Sequence, residues 1–319
     1  MSQDLQVDGR TVSTIESADT VDLDAAYGVC RAIARREAKN FYYAFVALPK
    51  PKRDAICAIY AFMRQADDLA DDETVSIVER RARLDAWTAA WRHVSAGGET
   101  SDPVFIAVRD ATVRFMIPLT LLDELLAGVT MDLDSARQVV PDTYAAFSDL
   151  YRYCYLVASV VGLVCIRIFG YSDQRAEKLA EETGIAFQLT NILRDVVEDA
   201  ERNRVYLPLE DLKAHGVALE EILERQKRMP PTANERALLA EIGQRAERYY
   251  QSARALMPLI DKESRPALWV LVRIYHALLK RIENADYDVF SQRASVPLTE
   301  KLSILIVGLL RMAWVRVVG

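Results

Sequence analysis

Carboxylates recur at four-residue steps on two segments of this chain, and on one of them they continue a hydrophobic stripe. Ile56, Ile59, Tyr60 and Met63 follow the i, i+3, i+4, i+7 spacing of a helix's core face; two further four-residue steps reach Asp67 and Asp71. Four residues advance a helix by only about 40° and roughly 6 Å, so these side chains stack on the same inward edge. Burying unpaired charge is costly. A fold that accepts this sequence must therefore neutralise these carboxylates with metals, with basic partners or with water in a cavity. Asp68 and Asp72 lie about 100° around the axis and fit ligands, caps or surface positions equally. The alternative for the whole cluster is an acidic helix end neutralised by Arg64 and neighbouring basic residues.

The second row is Asn191, Asp195 and Asp199, in QLTNILRDVVED. Here Ile185, Leu189, Ile192 and Val196 form the apolar stripe, and the oxygen donors lie roughly 90° to its side, on a face that borders a cleft or a neighbouring helix. Asn191 offers a carbonyl oxygen without adding another negative charge. Arg194 beside the row either meets a phosphate through paired hydrogen bonds or makes an ordinary i to i+4 pair with Glu198, worth a few tenths of a kcal/mol. Two such rows facing each other form a cage for hard divalent cations, magnesium or manganese, which prefer oxygen ligands and bridge to phosphates. That points to chemistry on a diphosphate.

The rest of the chain favours long helices. Only 12 glycines and 11 prolines punctuate 319 residues, too few for a many-turned β protein. Helix starts are expected near Asp22, Pro51, Val75, Pro103, Leu119, Asp142, Asp173, Ala218, Asn234, Arg265 and Thr299, several with Asp, Asn or Thr at a cap or Pro in the first turn. No stretch reads as an interdomain linker, so one all-α domain is predicted. A net charge of -6 argues against a general nucleic-acid binder. Cys30, Cys57, Cys154 and Cys165 form no CxxC pair, and the last two fall about 16 Å apart along one helix. They fit a reduced, cytoplasmic setting. His93, His215 and His276 give no zinc signature.

Residues 1–20 are polar and lack a signal-peptide pattern, which reads as a disordered tail. No run approaches the roughly 18 apolar residues of a spanning helix. The closest is Leu302–Leu310, followed by Arg311, Trp314 and Arg316, either a terminal helix closing the core or one lying in a membrane interface at the inner face. Between the acidic segments, YRYCYLVASVVGLVCIRIFG places small Ala158, Ser159 and Gly162 among apolar Val157, Val161 and Cys165. The room beside them is filled by a neighbouring helix or forms a channel for an apolar ligand. Phe41, Phe45, Tyr60 and Phe187 would add aromatic walls that stabilise a cation.

Four blocks, NFYYAFVALPKPKRDAICAIYAFMRQADDLADD, YRYCYLVASVVG, QLTNILRDVVEDAERNRVYLP and RIYHALLKRIENADYDVFSQRASVP, resemble in order the squalene/phytoene synthase family of head-to-head prenyl diphosphate condensing enzymes. The resemblance implies an isoprenoid synthase fold around a central cavity over residues 21–298, with residues 299–319 as a C-terminal apolar helix. It implies that Asp67 and Asp71 hold the first magnesium ions and Asn191, Asp195 and Asp199 the second set. Arg64, Arg194 and Arg204 would neighbour the diphosphate, with Tyr60, Tyr153, Tyr206, Tyr275 and Arg293 as further pocket residues. Phe41, Phe45, Gln188 and the Val157–Gly162 face, Val161 included, would line the prenyl channel. Asp67, Asp71, Tyr153, Arg194 and Asp195 would carry the catalytic work. Lys39 and Asn40 stand where many members have a serine near the mouth.

The chemistry implied is ionisation of one prenyl diphosphate, attack by the double bond of a second, and proton loss to a cyclopropyl diphosphate, which many members rearrange further. The blocks resemble farnesyl-using enzymes of hopanoid-type pathways and carotenoid-type phytoene synthases almost equally. Phe45 and Phe187 would shorten the channel and Cys57 lengthen it; farnesyl diphosphate is the expected substrate, geranylgeranyl diphosphate the alternative. No GxGxxG fingerprint is present, although reductive members bind NADPH without one. Chain elongases carry two DDxxD-type motifs, and terpene cyclases differ in the blocks around the Asn-containing row. A helical assembly factor that kept the fold and lost the chemistry is the non-enzymatic rival, yet all five expected metal positions hold oxygen donors. Oligomeric state is open at this level.

Overall fold

A computed structural model describes residues 22–135, 142–224 and 229–318, so the tail expected at residues 1–20 lies outside the described residues. In chain order the helices are α1 (Leu23–Glu37), α2 (Lys39–Val46), α3 (Lys50–Asp71), α4 (Ile77–Ser95), α5 (Pro103–Arg114), α6 (Leu119–Ser135), α7 (Phe147–Cys154) and α8 (Val160–Phe169). They continue with α9 (Arg175–Ala200), α10 (Leu209–Ala214), α11 (Leu219–Leu223), α12 (Ala233–Leu256), α13 (Arg265–Asn284) and α14 (Leu298–Val318). Local chemistry sets many starts. The Asp102 carboxylate accepts from the Val104 and Phe105 amides with Pro103 in the first turn. Thr232 and Glu235 close a reciprocal capping box on α12.

Two buried cores organise the bundle. One gathers α1, α3, α4, α5, α6 and α8 around Phe62, whose ring lies 4.8 Å from Trp87 and 5.0 Å from Trp91. The other gathers α7, α9, α12 and α13 around Leu193 and Tyr250, with α9 packed most extensively on α12. Leu271 and Val272 of α13 touch both cores. Along the seam between the cores lie half-buried Tyr60, Met63, Val157, Val161 and Phe187. Solvent therefore reaches apolar side chains at the middle of the bundle.

The helix expected to carry both Cys154 and Cys165 is wound differently. A π turn, Tyr155–Ser159, separates α7 from α8, with the Val160 amide donating to the Tyr155 carbonyl. Such turns are rare and take one extra residue into the winding. Ser159 and Gly162 prove to be helix-packing positions: a Cβ built on Gly184 of α9 would stand 2.5 Å from Ser159 Cα, and one on Gly162 would stand 3.1 Å from the Ala180 carbonyl oxygen. The Ser159 hydroxyl donates to the Glu181 carbonyl at 2.6 Å. Only part of the expected channel face, Val157 and Val161, thus stays open to the seam. The stretch Phe147–Phe169 is also long and apolar enough to cross a membrane by composition, which the sequence reading missed; here it packs on α9, α6 and α3.

Asp142 starts no helix. Asp142–Thr143 (β1) pairs in parallel with Arg204–Val205 (β2), and α7 begins only at Phe147. The Leu209 amide donates to the Tyr144 carbonyl at 2.9 Å, extending the connection. This clamp brings the chain after α9 alongside the chain before α7.

Candidate active site

The α9 row is the more enclosed of the two. Asp195 accepts from Arg194 Nε at 2.8 Å and from Arg293 Nε at 2.9 Å, with a second short contact from each guanidinium. Burial works to raise its carboxyl, but the two arginines overcome that and hold it below the usual carboxylate range. Arg194 therefore pairs with its neighbour Asp195; Glu198 lies 3.5 Å from Arg293 instead. The ordinary i to i+4 pair between Arg194 and Glu198 is not formed. One turn on, Asp199 is pushed up to about 7, first by burial and then by the like charge of Asp195.

Tyr275 of α13 covers this row. Its ring stacks on Phe187 at 4.4 Å, and burial pushes its phenol up to about 12 against the opposing influence of Arg194 and Asn191. The Asn191 amide donates to Gln188 Oε1 at 3.3 Å. Tyr60 of α3 adds a small electrostatic contribution at Tyr275. Phe45, 8% exposed, meets Tyr60 edge-on at 6.1 Å. Phe41, Lys39 and Asn40 lie on α2, outside the residues whose side chains are described.

The α3 row runs outward. Ile56 and Ile59 are buried, Tyr60, Met63 and Asp67 half-buried, and Asp71 exposed in the helix's last turn. The expectation that both carboxylates point inward holds for Asp67 and fails for Asp71, because the stripe leaves the core as the helix ends. Asp68 is exposed and paired with Arg64 at 2.5 Å; Asp72 caps the helix and accepts from the Thr74 amide at 3.2 Å. Arg64 Nε is buried without a hydrogen-bond partner.

A third group closes one side. Tyr153 and Tyr206 stack at 4.9 Å, and the Tyr153 hydroxyl donates to that of Tyr206 at 3.1 Å. Arg204 Nη1 donates to the Tyr206 hydroxyl at 3.5 Å, and Asp199 and Arg204 line one small crevice. Tyr144 completes the stack, 5.5 Å from Tyr153. Nothing in its sequence neighbourhood marked Tyr144; the β1–β2 clamp puts it there. Cys57 is fully buried near Cys30 of α1, so it lines no channel.

Among the described residues, no three His, Cys, Asp or Glu side chains converge as a ready-made metal cluster. The α9 row nevertheless fits a hard cation on one observation: Asn191 Oδ1 is buried and has no hydrogen-bond partner, a desolvated acceptor aimed where a cation would satisfy it. Asp199 agrees, since a nearby cation would relieve what raises its carboxyl.

Comparison with known proteins bears on this arrangement. The squalene/phytoene synthase family profile matches residues 34–300. A 15-cis-phytoene synthase of Synechococcus elongatus is 34% identical over 91% of this chain and 94% of its own length. Phytoene synthase 3 of maize chloroplasts is 35% identical over 89% of this chain, which spans 65% of that longer protein. Among solved structures, a dehydrosqualene synthase superposes with a TM-score of 0.77 at 29% identity, covering 92% of this chain and 98% of that one. A squalene synthase of Alicyclobacillus acidocaldarius gives 0.75 at 28% identity, covering 85% and 97%. The all-α isoprenoid synthase fold expected from the sequence is the fold these structures share with the chain.

Proposed function

Since the chain belongs to the squalene/phytoene synthase family of prenyltransferases, we propose that it joins two geranylgeranyl diphosphates head to head, through a cyclopropyl diphosphate, to a phytoene-type hydrocarbon with release of diphosphate. The observation that carries the choice of substrate is the set of relatives named phytoene synthase, 34–35% identical over about nine tenths of the chain. This replaces the farnesyl preference expected from the sequence. Farnesyl diphosphate remains the second reading, favoured by the squalene-type names of the two structural neighbours at 28–29% identity. Cys57, the residue read as lengthening the channel, gives no argument on chain length because it faces α1.

The residues support the reaction class as follows. Arg194 and Arg293 meet at Asp195, and Arg204 lies by Asp199, so three guanidiniums edge the α9 row where a diphosphate would be held by paired hydrogen bonds. Arg64 offers a fourth from α3. Asn191, Asp195 and Asp199 would hold magnesium, with Asp67 and Asp71 as the family resemblance implies, and the ion would supply the Lewis acidity that makes diphosphate a leaving group. Tyr60, Phe187 and Tyr275, with apolar Val157 and Val161, would supply the aromatic and apolar lining that stabilises an allylic cation once the prenyl chain fills the seam. At neutral pH Tyr275 keeps its proton, so its ring contributes as a neutral wall. Phytoene-type chemistry ends in proton loss and takes no hydride.

The test is direct. Purified protein is given magnesium with farnesyl or geranylgeranyl diphosphate, with and without NADPH, and the lipid extract is resolved by mass. A phytoene-type product from geranylgeranyl diphosphate, independent of NADPH, is expected. A product from farnesyl diphosphate alone would transfer the assignment to the second reading.

A further inference from the structure

The outer face of α14 is unlike any other helix surface in the molecule. It docks on α13 through buried Ile304 and through Gly308, where an added Cβ would stand 2.3 Å from Val270 Cγ2. On the opposite side Leu302, Ile306, Leu310 and Trp314 follow one another at four-residue steps, 42%, 58%, 65% and 69% exposed. Large apolar side chains left so open in an unbroken file mark an interaction site rather than ordinary surface.

Charge identifies what the file meets. Beside it runs a groove of about 450 Å³ formed by Met257, Pro266, Trp269 and the inner edges of Val307, Leu310 and Trp314. Arg265 and Arg311 stand at its rim, Arg311 stacking on Trp269 at 4.3 Å with Arg273 on the same indole at 6.0 Å. Among the described residues, none of these three arginines pairs with a carboxylate, and no acidic residue lines the groove. In a chain of net charge -6 this is a local reversal of sign. Arg265 also donates to the Ile260 and Pro258 carbonyls, at 2.7 Å each, without losing its charge. A second copy docking face to face would set three guanidiniums that no carboxylate neutralises against three more, which disfavours self-association. Anionic phospholipid satisfies both halves of the surface: headgroup phosphates accept from the arginines while the apolar file and the Trp314 indole enter the acyl boundary.

We propose that α14 is a membrane-docking helix for an anionic bilayer. The opposite flank of the same helix packs on α13 and α2, the helices that carry Tyr275 and Phe45. Docking by the outer file therefore sets the catalytic half of the bundle next to a sink for an apolar product. The surface argument stands apart from the choice of substrate, and its test reads lipid binding rather than turnover.

Full-length protein is floated with vesicles of phosphatidylcholine alone or of phosphatidylcholine with phosphatidylglycerol. Co-flotation with the mixed vesicles, weakened by salt, with a blue-shifted tryptophan emission, is expected. Ile306→Asp with Leu310→Asp should cut the partition coefficient by about tenfold or more, because each buried aliphatic chain is worth that much. Arg273→Gln with Arg311→Gln, which leaves the Arg265 hydrogen bonds to Ile260 and Pro258 in place, should sharply reduce the preference for anionic vesicles and the salt effect, while circular dichroism stays unchanged. Absence of binding to either vesicle, equal binding of the aspartate variant, equal binding to both vesicle types, or a concentration-dependent dimer abolished by the aspartate variant would each overturn the proposal.

Discussion

The two oxygen-bearing rows share a spacing and differ in everything around it. On α9, Asp195 and Asp199 sit among arginines and tyrosines, and their ionisation is displaced in opposite directions one turn apart. On α3, the row passes from half-buried Asp67 to exposed Asp71, where solvent screens the charge. Spacing alone therefore says where donors stack and nothing about what it costs to keep them charged. The α9 row is built into the stability of the bundle, whereas the α3 row hangs at its edge.

The sharpest break of that contrast is Asp195→Ala against Asp71→Ala. Both should lower turnover by roughly 10²–10³-fold if both rows serve the diphosphate. Only Asp195→Ala should also destabilise, on the order of 2–3 kcal/mol, because it strands the half-buried Arg194 guanidinium; Asp71→Ala should stay within about 0.5 kcal/mol. Steady-state rates and urea midpoints check the pair. Equal loss of stability in both variants would erase the distinction between the rows.

The next test is pH. With its carboxyl raised to about 7, Asp199 binds a proton in the folded metal-free protein at pH values where the unfolded chain has lost it. Its contribution to stability is therefore present at low pH and falls as pH rises from the ordinary carboxylate range through about 7. Asp199→Asn should flatten that limb of the metal-free stability curve, and magnesium binding to the wild type should release a proton near neutrality, read by calorimetry in buffers of different ionisation enthalpy. The smallest effect is expected at Arg64→Gln. Its pair with Asp68 is largely solvent-exposed, so the melting midpoint should move by no more than about 0.5 kcal/mol of stability while KM for the diphosphate rises.

How far the sequence could be read follows the same division. Periodicity over Ile56–Met63 located the inward face of α3, and Pro103, Asn234 and Arg265 located helix starts to within a residue or two, because these signals are local. The outward drift of Asp71 was hidden because burial there depends on where α3 ends relative to its neighbours. Asp142 imitated a helix cap but pairs with Arg204, a partner that spacing cannot reveal. The same pairing delivers Tyr144 to the Tyr153–Tyr206 stack. Arg194 has two carboxylates within reach, and choosing Asp195 over Glu198 required Arg293 arriving from beyond α13. The room beside Ser159 and Gly162, read as taken by a neighbouring helix or as a channel, is taken by α9, Gly184 against Ser159 and the Ala180 carbonyl against Gly162.

The π turn at Tyr155–Ser159 has an evolutionary corollary. Five residues in a π turn sweep roughly the rotation that four make in an α turn, so the extra residue is absorbed where it stands. Excising it would restore ordinary winding while Val161 and the residues beyond keep their places on the wall. Only the contour between Tyr155 and Ser159 would be redrawn, so a one-codon deletion there would recut one local patch and spare the rest.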